Sequence, residues 1–194
     1  MKVLGSLKRG LVFVVSAPAG TGKTTLVQMI CKQFHCVVES VSFTTRKARP
    51  KEVPGKDYHF ITIPEFEKKI QDGEFLEYAK VFNHYYGTSR ALVEREQTKG
   101  KHVILVIDTQ GALQLMDTLK AAFIFISPPN MQELRKRLMS RRSETPEVIE
   151  ERLSWAAKEM ALASRYDYHI VNEDLQTAYE VLKSVLIAEE HKNR

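Results

Sequence analysis

The chain is poor in several things, and each scarcity excludes a class of protein. Its 194 residues include only two cysteines, Cys31 and Cys36. Two thiols provide no disulfide framework and too few ligands for a structural zinc site. They read as small hydrophobes in a reducing compartment. No apolar run approaches the ~20 residues that a membrane-spanning helix needs. Internal repeats, low-complexity tracts and flexible linkers are also missing. Excess charge is slight: 29 basic against 24 acidic side chains leave a formal +5. Such an excess suits an anionic partner, either nucleotide phosphates or nucleic acid, and is too mild to choose between them. A nucleic-acid role predicts a continuous basic face, which the interleaved acidic residues do not suggest. The 43% hydrophobic and 27% charged content is that of a soluble globular chain of one sizeable domain.

What the sequence does contain is organised around Ala17-Pro18-Ala19-Gly20-Thr21-Gly22-Lys23-Thr24. An apolar run, Leu11–Val15, precedes it, and a helix-like segment from Thr25 to Ile30 comes after it. Strand, glycine-bearing loop and Gly-Lys-Thr opening a helix form a phosphate-cradling loop. Successive backbone N–H groups curl around an anion, and the positive end of the helix faces it. Gly20 and Gly22 permit the curl, Lys23 can reach the β- and γ-phosphates, and the Thr24 hydroxyl can bind Mg²⁺. Ala17 stands where the general motif has its first glycine. Lys8-Arg9, the apolar run and Ala17-Pro18-Ala19 mimic a short signal peptide with a cleavage site. Cleavage there would cut the loop apart, so the expectation is a buried first strand and a cytoplasmic protein.

Taken in order, Leu11–Ser16 is a strand buried on both faces, since its apolar residues do not alternate with polar ones. A helix to about Phe34 and a strand at Val37–Ser40 come next. From Ser42 to about Lys101 the composition shifts to polar, aromatic and turn residues, with strands at Tyr58–Thr62 and Phe75–Val81 around a helix starting at Pro64. The segment reads as an inserted lobe. His102–Ile107, a helix around Ala112–Leu119 and Ala122–Ile126 restore the alternation of a parallel sheet with helical crossovers. Beyond Pro128-Pro129 come a basic helix, Met131–Arg142, and a long helix to about Ser164 with Thr145 as its N-cap and Pro146 first. A strand at Tyr168–Val171 and a last helix capped by Asp174 complete the chain.

The second substrate must be read from residues downstream of the loop. Ser42-Phe43-Thr44-Thr45-Arg46-Lys47-Ala48-Arg49-Pro50 places two guanidinium forks three residues apart, able to grip a phosphate dianion. Then come Tyr58, Phe75-Leu76-Glu77-Tyr78, Tyr85-Tyr86-Gly87-Thr88 and Asp108-Thr109-Gln110-Gly111. With Phe125–Pro129, Lys136-Arg137-Leu138, Arg152-Leu153 and Ile170–Asp174, this succession closely resembles the guanylate kinases, the bacterial form in particular, over residues 9 to 190. The resemblance implies an α/β P-loop kinase fold: a central parallel sheet flanked by helices, an inserted GMP-binding lobe and a helical lid. The core would cover about 9–41, 101–127 and 158–194, the lobe about 42–100 and the lid about 128–157. It further implies transfer of the ATP γ-phosphoryl to GMP, and to dGMP, with Mg²⁺.

By the same resemblance, Arg46, Arg49, Tyr58 and Tyr86 would hold the GMP phosphate. Ser42, Glu77 and Thr88 would sit near the base and Asp108 at the core edge. ATP would lie on Ala17 to Thr24 with Asn172 near the adenine, and Arg137, Arg141 and Arg152 would face the phosphates from in and beside the lid. Lys23, Arg46, Arg137, Arg141 and Arg152 would be the catalytic cations. Two further departures from the family pattern are Val106, where an aspartate is frequent, and Arg142, where a glycine is frequent.

These residue types suit the chemistry. Guanine offers N1–H and N2–H₂ as donors, so the acceptor-only carboxylate of Glu77 suits it and not adenine. The attacking phosphate has a second pKa near ~6 and is already anionic at neutral pH, so no catalytic base is needed. His35, His59, His84 and His102 are therefore expected to be ordinary polar or core histidines. Catalysis of this kind is positioning and charge stabilisation. Partners are expected to be the two nucleotides, with no nucleic acid, no membrane and no obligate protein. Two other readings stay open: a non-catalytic phosphopeptide-binding module of the same fold, which intact Gly22-Lys23-Thr24 argues against, and a P-loop kinase of another small phosphorylated molecule.

Overall fold

The computed structural model describes residues 3–81, 83–140 and 145–193. Its centre is β1 (Val12–Ser16), whose five residues are all buried. β1 lies in the middle of a five-stranded parallel sheet. The order is β2 (Val37–Glu39), β7 (His102–Val106), β1, β8 (Ala122–Ser127) and β9 (Tyr168–Val171). Val14 pairs with Leu105 on one side and Phe123 on the other. Alternation along the strands divides the apolar residues between two faces. Phe13, Val15, Ile104, Ile124 and Ile126 pack beneath α1 (Lys23–Gln33) and α7 (Leu175–His191). Val12, Val14, Leu105, Phe123 and Phe125 pack beneath α3 (Arg90–Thr98) and α4 (Thr109–Leu115). A continuous apolar strand is the signature of a sheet covered on both sides, and this one is.

A second, four-stranded sheet occupies the stretch of shifted composition, in the order β4 (His59–Phe60), β3 (Phe43–Thr44), β6 (His84–Ser89), β5 (Phe75–Val81). Its own small core is aromatic: Phe66 of α2 (Ile63–Gln71) stacks on Phe75 and Tyr85 at centroid distances of 4.5 and 5.1 Å. Gly87 of β6 lies against this stack, and a Cβ there would stand 2.9 Å from the Phe66 ring. α2 starts from a capping box between Thr62 and Glu65, with Pro64 in its first turn. The strand pairing sets Glu77 of β5 opposite Thr88 of β6.

α5 (Met131–Ser140) and α6 (Pro146–Met160) pair through Leu134, Leu138, Ile149, Leu153 and Ala156, a cluster apart from the two that cover the main sheet. The chain ends are tied to the core through a buried carboxylate. Glu190 of α7 accepts from the N–H groups of Gly5 and Ser6, from the Ser6 hydroxyl and from His102 Nε2 at 2.5 Å. His102 Nδ1 accepts from the Leu11 N–H, which leaves the ring proton on Nε2 to donate to Glu190.

Some elements differ from the sequence expectation. β3, β6 and α3 had no strong pattern; α3 buries only Val93, so its periodicity is faint. The helix after β7 begins at Thr109, three residues early, because Asp108 caps it. Thr145 stands at the N-cap of α6, but its hydroxyl makes no capping bond. Strand β4 is two residues long instead of five: the Tyr58 carbonyl accepts from the Gly55 N–H in a turn, and Thr62 caps α2.

Candidate active site

The phosphate loop leaves β1 and turns twice through left-handed glycines, Gly20 at φ +93° and Gly22 at φ +89°. Both positions are crowded as well. A Cβ on Gly20 would meet Leu138 and Leu134 of α5 at 3.0 and 3.2 Å, and one on Gly22 would stand 2.6 Å from Asn172 Nδ2. The Thr21 hydroxyl donates to the Pro18 carbonyl at 2.9 Å, closing the turn. Lys23 Nζ is turned back toward the Ala17 carbonyl at 3.4 Å. Removal from water lowers the Lys23 pKa, while the charges of Glu159, Asp108 and Glu39 work to raise it.

Across from the loop, Arg46 forms a bidentate fork with Glu52, Nη2 to Oε1 at 2.8 Å and Nη1 to Oε2 at 3.0 Å. Glu52 also accepts from the Arg49 N–H at 2.7 Å. The hydrogen bonds from Arg46 to Glu52 raise the Arg46 pKa, so this guanidinium stays charged. Its Cζ lies 5.4 Å from the centre of the Tyr58 ring, and Tyr58 meets Tyr86 edge to face at 5.9 Å. A cation with an aromatic back wall is thus oriented before any anion arrives.

Glu77 is 4% exposed and accepts from the Thr88 hydroxyl at 2.6 Å. Burial lifts its pKa to about 7, opposed by the Thr88 hydrogen bonds and reinforced by the charge of Asp108. Its second oxygen lies over Gly111, where a Cβ would come within 2.3 Å. Asp108 caps α4 by accepting the Gly111 N–H at 2.8 Å, so the Asp-x-x-Gly turn both starts the helix and clears a seat for Glu77.

These groups meet in one cavity of about 310 Å³. Its walls carry Ala17, Ala19, Lys23 and Thr24 from the loop, Glu77 and Tyr86 from strands of the second sheet, Ser42, Arg46, Arg49 and Tyr58 from the segments flanking β3 and β4, Asp108, and Arg152, Trp155 and Glu159 from α6. The cavity joins a phosphate-loop lysine to paired arginines and a buried carboxylate.

Comparison with known proteins identifies the family. The guanylate kinase family model matches residues 9–189. The chain belongs to the guanylate kinase family. It is 56% identical over 188 residues to the guanylate kinase of Protochlamydia amoebophila, covering 97% of this chain and 95% of that one. It is 50% identical over 181 residues to the guanylate kinase of Chlamydia trachomatis, covering 93% and 88%. Among solved structures it is similar to the guanylate kinase of Anaplasma phagocytophilum, with a TM-score of 0.78 and 38% identity over 95% of this chain and 88% of that one.

Within this guanylate kinase fold, most residues singled out from the sequence line the cavity. Pro18, Gly20, Thr21 and Gly22 shape the loop. Thr88 lies behind Glu77 and orients it. Asn172, 3% exposed, spends its side-chain amide on the Thr21 carbonyl at 2.6 Å, so its contact is with the back of the loop. Arg137 donates to the backbone carbonyls of Asn172 at 3.0 Å and Glu173 at 3.5 Å, and to Glu133 at 3.2 Å, away from the cavity. Arg141 and Arg142 lie outside the described residues. Sequence reasoning missed Glu52, Glu39, Trp155 and Glu159. Only Glu52 left a local signal, a carboxylate within six residues of both arginines. Glu159 reaches the site from the far end of α6, where burial, offset by Lys23 and reinforced by Asp108, raises its pKa to about 7.

Proposed function

We propose that the chain catalyses transfer of the γ-phosphoryl group of ATP to GMP, giving GDP and ADP, as the guanylate kinases it resembles do. The observation that carries the reading is Glu77: a buried acceptor in the same cavity as Lys23, Arg46 and Arg49. Guanine presents two adjacent donors on one edge, and a carboxylate seated by Thr88 and Gly111 accepts them. Adenine presents an acceptor at N1 and is repelled. A site built on such bonds rejects the wrong analogue by roughly 10⁴-fold.

In this reading Ala17–Thr24 hold the ATP phosphates, and Arg46, Arg49, Tyr58 and Tyr86 hold the GMP phosphate. Ser42 and Glu77 face the base, Thr88 sets Glu77, and Asn172 holds the loop from behind. Asp108 lies between the two substrates. The acceptor oxygen is ionised already, so the protein's task is to bring two anions together and shield them from water. Lys23 and Arg152 supply positive charge from the loop and α6. Arg137 and Arg141 join them when the lid, about 128–157, closes over the core and the lobe, about 42–100. Arg137 would then exchange its backbone carbonyl partners for phosphate oxygens.

Mg²⁺ fits the same arrangement. Thr24 offers an exposed hydroxyl on the first turn of α1 in the cavity wall, and among the described residues no three His, Cys, Asp or Glu form a cage. One protein oxygen beside substrate phosphates is the kind of site Mg²⁺ takes, and the bound ion would offset phosphate charge. A cytoplasmic location belongs to the same reading; no helix among the described residues is long and apolar enough to cross a membrane. With ATP labelled at the γ-phosphate and GMP as acceptor, label is expected in GDP. Label released only as inorganic phosphate would refute the transfer.

A further inference from the structure

The face of α6 turned to the cavity carries more than Arg152. Arg152, Trp155 and Glu159 succeed one another at intervals of three and four residues, the spacing that aligns side chains along one helix face. All three line the cavity. The neighbouring stripe of α6, with Ile149, Leu153 and Ala156, is buried against Leu134 and Leu138 of α5. Trp155 stands outside that buried cluster; it is 39% exposed, with the Lys158 ammonium 5.4 Å from its ring centre. An aromatic side chain of this size is among the most favourable to cover, and here it is turned toward the substrate cavity.

The opposite wall has a matching character. β5 presents Glu77, Ala79 and Val81 to the cavity, alternate residues on one face of a strand. Beyond Glu77 that wall is apolar. The cavity thus has a cationic region at Lys23, Arg46 and Arg49 and an apolar region between Ala79, Val81 and Trp155. A purine nucleotide is divided in the same way, with an anionic phosphate, a polar base edge and apolar faces on base and ribose.

We propose that Trp155 is a further contact for the acceptor nucleotide: α6 lays the indole against the bound nucleoside as the lid closes, opposite Ala79 and Val81. The inference rests on the GMP reading above and deepens it. Glu77 takes the edge of the base and the arginines take the phosphate, which leaves the faces of the nucleoside to be covered. An indole covers them without needing a hydrogen-bond partner, as aromatic side chains do for bases elsewhere. Because Trp155 shares one helix with Arg152 and Glu159, its contact would also bring the Arg152 cation in and shift Glu159 relative to Lys23.

Trp155 is the only tryptophan in the chain, so intrinsic emission reads this side chain in the unaltered protein. Titration with GMP is expected to give a saturable emission change and lower acrylamide quenching, whereas AMP at the same concentrations gives neither. Trp155→Ala is expected to raise the KM for GMP about tenfold while the KM for ATP moves less than about twofold, and Trp155→Phe to restore the GMP value to within about threefold. If the unaltered enzyme turns over GMP but saturating GMP leaves emission and quenching unchanged, the Trp155 contact is overturned and the guanylate kinase reading stands. An unchanged KM for GMP in Trp155→Ala would overturn the contact in the same way. If the enzyme does not turn over GMP at all, it is the underlying reading that falls.

Discussion

The side-chain amide of Asn172 donates to the carbonyl of Thr21 at 2.6 Å, while the backbone carbonyl of Asn172 accepts from Arg137 at 3.0 Å. One residue after β9 thus joins the phosphate loop to α5. The contact also explains Gly22 a second time. Its φ of +89° favours glycine, and any Cβ there would stand 2.6 Å from the Asn172 amide.

Asn172→Ala is expected to leave the Thr21 carbonyl buried without its donor, a loss of roughly 1–3 kcal/mol. The loop would lose its fixed curl, so the KM for ATP should rise about tenfold, with the KM for GMP much less affected. Steady-state kinetics with each substrate varied in turn decides it; equal effects on both would mean that Asn172 does not act through the loop.

Gly111→Ala places a methyl group 2.3 Å from Glu77 Oε2 unless something yields. The carboxylate is the less constrained party, a side chain held by the Thr88 hydroxyl against a helix backbone held by the Asp108 cap. The expected result is a GMP preference over AMP reduced by about 10²-fold or more, as the acceptor is displaced from the base edge. A parallel thermal melt separates this from simple unfolding.

Burial raises the Glu77 pKa from 4.5 to about 7. In the free protein the ionised form is the disfavoured one, so stability should fall as pH rises from about 4.5 to about 7. Guanine, by contrast, needs the ionised form. The KM for GMP should therefore fall as pH rises through about 7, beyond the part due to ionisation of the GMP phosphate near ~6. Glu77→Gln should keep only the phosphate part, lose the preference for GMP, and remove the Glu77 share of the stability slope, leaving that of Glu159. An unchanged pH profile in that variant would remove Glu77 from base recognition.

Glu190 shows the opposite sign. Burial works to raise its pKa, but hydrogen bonds from Ser6, Gly5 and His102 outweigh it and hold the carboxyl down at about 2. Its contribution is complete above about 4.5, the unfolded value, and is lost as pH falls toward about 2. The span from 4.5 to about 2 corresponds to about 3 kcal/mol. Denaturant melts between pH 6 and pH 2.5 should show that loss, and Glu190→Gln should be less stable at neutral pH with a flatter acid limb.

Much of the fold was legible because its signals are local. β1 and β8 are uninterrupted apolar strands, and Ala17–Thr24 is a contiguous motif whose geometry comes from its glycines. Glu77, Arg46 and Arg49 were legible by the company they keep along the chain. What escaped is what the fold brings together from far apart. The Glu190–Ser6 pairing spans 184 residues. Glu159 and Trp155 acquire their place only when α6 crosses the cavity, and nothing in their neighbours announces it. The role of Gly111 could be seen only once β5 was laid beside α4. Asn172 was readable as a nucleotide contact, yet its amide is turned to Thr21.

The central claim is that this cavity phosphorylates GMP and selects it by its base. The most direct measurement is ADP formation from ATP with GMP, dGMP, AMP, UMP and CMP offered in turn to the unaltered enzyme and to Lys23→Met. Rapid ADP formation is expected with GMP, substantial formation with dGMP, little with the other three, and loss of most turnover in a folded Lys23→Met. ADP formation that does not depend on GMP, or that AMP supports equally, would contradict it.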